Sequence, residues 1–124
     1  MSSLGERITP RDVASLRHKT SQTVQDKFTA MGERLGWALT LSTDPGRSEP
    51  ISTFRRGPWE LHVRFTIGGY HAKRAVLLNP VSLEKRRPLP EKSDDPTTGK
   101  FDPMRNSQNV FRFVGQVLYD ESLR

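Results

Sequence analysis

The chain of 124 residues carries 20 Lys/Arg against 14 Asp/Glu, a net charge of +6, with 33% hydrophobic residues and no cysteine. This length fits one domain, 1–124, and the lack of cysteine excludes disulfides and thiolate metal sites, in keeping with a reducing, cytoplasmic setting. No run approaches the ~20 apolar residues of a membrane span, and Met1 to Thr9 hold no signal-like apolar stretch.

Residues 1–8 read as a frayed terminus. Thr9-Pro10-Arg11-Asp12 has the composition of a helix start, with Thr9 as N-cap and Pro10 at the first helical position. Val13, Leu16, Thr20, Val24, Phe28, Met31 and Leu35 then recur at steps of three and four, which predicts one long amphipathic helix ending at Gly36 or Gly32. At ~1.5 Å per residue it is roughly 39 Å long and overhangs a strand of ordinary length. That overhang leaves room for self-association as a homodimer.

Trp37 to Thr43 alternates as a first strand, with Trp37, Leu39 and Leu41 on one face. Asp44-Pro45-Gly46-Arg47-Ser48-Glu49-Pro50 is a turn, Ile51 to Arg55 a short second strand, and Arg56-Gly57-Pro58 a second turn. The strongest pattern follows: Trp59 to Ile67 alternates apolar and polar, Gly68-Gly69 suits a two-residue hairpin turn, and Tyr70 to Leu78 returns. With Ile67 opposite Tyr70, the apolar face pairs Phe65 with Ala72, Val63 with Arg74, Leu61 with Val76 and Trp59 with Leu78. The other face pairs Thr66 with His71, Arg64 with Lys73, His62 with Ala75 and Glu60 with Leu77. Arg74 is the anomaly of this register, resolved either by an edge position or by a bulge that turns it outward.

Residues 80–108 hold five prolines, the Lys85-Arg86-Arg87 cluster and few apolar residues, and read as a long, partly mobile loop pinned by Leu83, Leu89, Phe101 and Met104. A last helix begins near Ser107, with Val110, Phe113, Val114, Val117 and Leu118 on its apolar face and Gly115 in its middle. The sum is an α+β fold of two layers, a four-stranded antiparallel meander packed by two helices in the order αββββα.

Motifs for chemistry are missing. There is no nucleophile elbow, no phosphate loop, and His62 and His71 are too far apart in this register to share a metal, so no enzyme, cofactor or metal is expected. The charge is concentrated instead: residues 55–78 contain five basic residues and one acid. Arg55, Arg56, Arg64, Lys73 and Arg74, with His62 and His71 as further donors, form a candidate phosphate-tracking face, which points to nucleic acid bound with little sequence selectivity. This reading requires Arg64 and Lys73 to meet solvent without carboxylate partners. The alternative is a protein-interaction module (adaptor, inhibitor or assembly subunit) that uses the sheet, the long helix, or a ladder edge at strand 51–55 or 70–78.

Overall fold

A computed structural model describes residues 23–124. Helix α1 (Val24–Arg34) starts where Thr23, in extended backbone, accepts a hydrogen bond from the Asp26 amide on its side-chain oxygen. The expected helix from Pro10 to Leu35 is therefore corrected to eleven residues: Thr23 breaks it, because an N-cap requires non-helical backbone angles. The expected start at Thr9 and the frayed segment lie outside the described residues. At its other end, the Trp37 amide reaches the Gly32 carbonyl and the Gly36 amide reaches Glu33, while Gly36 takes φ +87°. This paired closure needs a left-handed residue, which glycine supplies without steric cost.

Five strands follow, not four: β1 (Ala38–Thr43), β2 (Pro50–Arg56), β3 (Trp59–Phe65), β4 (Ala72–Asn79) and β5 (Glu84–Arg86). They form one antiparallel sheet in sequence order. β5 lies inside the stretch expected to be loop, and three residues of ordinary charge give no alternation from which to read a strand. The same stretch contains a 3₁₀ turn, Pro90–Ser93, and a bridge between Asp94 and Phe101. Helix α2 (Pro103–Tyr119) begins four residues earlier than its apolar pattern suggests, because Asp102 accepts from the Met104 and Arg105 amides and Pro103 opens the first turn.

The β3–β4 hairpin departs from the simple register. Phe65 pairs with Ala72, but Arg64 pairs with Arg74, so Lys73 is an extra residue in β4. This bulge reverses the facing of everything after it. Ala75, Leu77 and Asn79 turn inward and are buried, while Arg74, Val76 and Leu78 face the open side. The turn is also longer: the Thr66 amide bonds the His71 carbonyl, and the four residues between include Gly68 and Gly69 at φ +85° and +78°. Ile67 and Tyr70 thus stand exposed at the tip instead of extending the apolar face.

Both helices pack on one side of the sheet. Phe28 and Trp37 meet Phe54, Leu61, Val63, Phe65 and Leu77 from the sheet and Val110, Val114 and Leu118 from α2. Among the described residues no helix lies over the opposite side of the sheet, and Leu41, expected beside Trp37 and Leu39, is exposed near the sheet edge. The anchors expected in the 80–108 stretch are also corrected, since Leu83, Leu89, Phe101 and Met104 are all exposed. Its buried member is Ser93, whose hydroxyl donates to Asn106 Oδ1 at 3.1 Å and accepts from Asn109 at 3.3 Å.

Candidate interaction groove

The seven cationic or histidine side chains singled out in the sequence do not form one free surface. Arg55 is exposed, 3.2 Å from Thr40 Oγ1 and 3.6 Å from Glu60. Arg56 leaves the face altogether. It stacks over Trp37 at 4.9 Å and donates to the Leu35 carbonyl, which leaves it serving a helix end instead of a ligand. His71 sits exposed beside the hairpin turn.

Arg64 and Lys73 are neutralised. The loop joining β1 to β2 folds on Asp44, which accepts from the Gly46 amide at 2.8 Å and carries Glu49 back toward the sheet. Arg64 donates to Asp44 and, at 3.3 Å, to Glu49, while Lys73 reaches Glu49 at 2.5 Å. Glu49 is buried to within 7% of full cover, so its charge is compensated largely by these two cations. The Arg64 guanidinium holds the Asp44 carboxyl below its ordinary range, helped by the Gly46 amide. Lys73 does the same for Glu49, with Arg64 adding to it and burial opposing. The bulge makes this cluster: it is Lys73, the extra residue, that reaches across to the loop.

His62 lies between Glu60 Oε1 at 3.0 Å and Thr53 Oγ1 at 3.4 Å. Carboxylate, imidazole and hydroxyl in series resemble a nucleophile relay in composition. The hydroxyl nevertheless lies on a flat face and Thr53 is only 7% exposed, while β2 is paired on both edges, so no free backbone amides converge there to stabilise an oxyanion. The row is a polar ladder across two strands, β2 and β3. Among the described residues no group of three His, Asp or Glu side chains is arranged to hold a metal, and no helix is long and apolar enough to cross a membrane.

A concave feature beside β4 was only partly legible in the sequence. β4 meets β5 only from Leu77 to Asn79. β5 stops at Arg86, because Arg87 precedes Pro88, and proline has no amide to add to a ladder. Among the described residues, the side of β4 away from β3 therefore has no strand partner from Ala72 to Val76, and in an antiparallel pair every second residue points its amide and carbonyl that way. On that side, the bond recorded to a main-chain group comes from Asn106, whose amide donates to the Lys73 carbonyl at 2.9 Å.

A groove of about 1730 Å³ runs along this edge, walled by Arg87 to Asp94 on one side and by the start of α2 on the other. Its floor and inner wall include Ala75, Val110 and Met104, and Leu89 and Phe101 present exposed apolar surface to it. Arg47, Arg74 and Arg87 stand along it with no carboxylate partner among the described residues. Strand 70–78 had been expected as a ladder edge, and half of it is one. Strand 51–55 is not, since β2 lies between β1 and β3. No family model matches the chain, and no curated protein and no solved structure matches it.

Proposed function

We propose that this protein is a non-enzymatic interaction module that receives a segment of another protein in the groove beside β4. The observation that carries this reading is the unpaired half of the β4 edge, set at the bottom of a cleft with exposed apolar side chains. At about 1730 Å³ the groove exceeds the ~300–1,000 Å³ of ordinary small-molecule sites, and main-chain groups along its length suit a polypeptide. The test is a titration of the isotopically labelled full chain with peptides selected from a random display library. Amide shifts clustered at Ala72–Val76 support the module; selected peptides that shift only other regions reject the groove.

Nucleic acid is the second reading, and Arg47, Arg74 and Arg87 favour it. Among the described residues that line the groove, they are the arginines left without carboxylate partners once Arg64 is committed to Asp44 and Glu49. A phosphate-tracking site of this kind binds oligonucleotides at about 50 mM salt and loses them by about 200 mM. Changing Arg74 and Arg87 together to Glu removes that retention if this reading is right. Retention that survives the double change assigns it elsewhere on the chain.

A further inference from the structure

Independently of the groove, we infer that residues 10–22 form a helix that docks on the outer face of α2, over a shallow channel centred on Phe111. The channel is lined by Ser107, Gln108, Phe111, Arg112, Gly115 and Gln116, two neighbouring rows with a step of four residues. A furrow between such rows is what the side-chain ridge of an incoming helix fills. Phe111 leans on Phe28 at 5.1 Å between ring centres and is still 38% exposed, so among the described residues part of this aromatic ring remains in solvent. Two contacts, Phe28 with Phe111 and the Arg34 guanidinium with the Tyr119 hydroxyl at 2.5 Å, set α1 and α2 parallel and side by side. Thr23 stands five residues before Phe28, about 7.5 Å back along the axis, and is thus level with the first turns of α2. Its extended backbone, φ −69° and ψ 161°, turns the preceding chain off the α1 axis at one end of the channel.

Sequence and size select this occupant. Ile8-Thr9-Pro10-Arg11-Asp12-Val13 places Ile8 and Val13 at the two positions that staple a helix start, around a Thr cap and with proline first inside it. Val13, Leu16 and Thr20 then follow at steps of three and four, one narrow stripe. The thirteen residues 10–22 make about 20 Å of helix, enough to cover the ~14 Å from Ser107 to Gln116. A helix this short is marginal alone and requires a surface to lean on. Six lining residues on one helix fall well below the ~20–30 a side of a stable association between free partners, so a second copy does not suffice there. A tethered segment needs less, because its target is present at millimolar effective concentration. One helix supplies every wall, so the channel does not enclose a small molecule either. Arg112, the one charge in it, is exposed, and salt screens it from Arg11, Arg17 and Lys19.

The experiment follows the full chain, isotopically labelled, by NMR. Methyl protons of Val13 and Leu16 should show nuclear Overhauser contacts to the Phe111 ring and to Ser107, with helical carbon shifts over 10–22. A sample mixing labelled and unlabelled chains should show none of these contacts between copies. The double variant Val13→Asp/Leu16→Asp changes the segment alone and leaves the core residues of the sheet and of α1 and α2 in place. It should abolish the helical shifts of 10–22 and move the amides of Ser107–Gln116, while those of β2 to β4 stay. Contacts between copies would give the face to a second molecule and overturn the inference. It is equally overturned if the two methyls touch another surface or none, or if Ser107–Gln116 ignore the double variant. The groove reading survives each of these results, because it is read at Ala72–Val76.

Discussion

Lys73 Nζ lies 2.5 Å from Glu49 Oε2, so the extra residue of the β4 bulge is tied to the loop that joins β1 to β2. Arg64 reaches the same carboxylate from β3. Two strands and one loop thus share a compensated charge cluster at the rim of the groove.

Acid should loosen this cluster. Both Asp44 and Glu49 ionise at lower pH in the folded chain than their ordinary values of 3.8 and 4.5. Their contribution to stability is therefore complete above those values and is lost as pH falls through the depressed folded ones. Glu49→Gln is expected to lower the melting temperature at pH 7, and the gap to the parent chain should close as pH falls below 4.5 and through the depressed folded value, where Glu49 itself becomes neutral. A gap that stays constant across that range would show that Glu49 acts by packing alone.

The bulge decides which side chains of β4 form the core, and a pair of substitutions reads it directly. Leu77 is fully buried. Leu77→Ala should cost about 2–5 kcal/mol in urea unfolding. Val76, which would be inside in a regular hairpin, faces the open side, and Val76→Ala should cost under about 1 kcal/mol. The reverse order would restore the unbulged register.

Two helical glycines should respond with opposite sign. A Cβ at Gly32 would lie 2.6 Å from Phe54 Cε2, and that ring is fully buried with nowhere to move. The overpacking, about 1–3 kcal/mol, outweighs the helix-propensity gain of about 1 kcal/mol, so Gly32→Ala destabilises. At Gly115 no described residue lies within 4 Å of the added methyl. Gly115→Ala should stabilise by about 0.5–1 kcal/mol, read from the same unfolding curves.

Trp37 closes the end of α2. Its indole Nε1 donates to the Leu118 carbonyl at 3.0 Å in a buried setting, satisfying one of the last carbonyls that a helix leaves unpaired. Trp37→Phe keeps an aromatic ring but orphans that carbonyl, and should cost about 1–3 kcal/mol. Amide exchange should rise first in the last turn of α2.

Much of this molecule follows from patterns local in the chain. Alternation from Trp59 to Phe65, turn residues at 44–50 and 57–58, the closure at Gly36 and the apolar stripe of α2 place a meander sheet under two helices, because each rests on backbone preferences and a period of two or 3.6 residues. Three features needed the folded chain. Thr23 interrupts a stripe whose period runs on without pause, since a cap is chosen by the hydrogen bonds that tertiary packing makes worthwhile. The bulge at Lys73 is invisible to alternation read strand by strand, because it is the burial of Ala75 and Leu77 against α2 that shifts the register by one. The fate of the charges depended on both: Asp44 and Glu49 are 15 or more residues from Arg64 and Lys73, and only the sheet brings them together. Net charge is a property of composition; which cations remain unpaired, here Arg47, Arg74 and Arg87 along a half-open strand, is a property of three-dimensional neighbours.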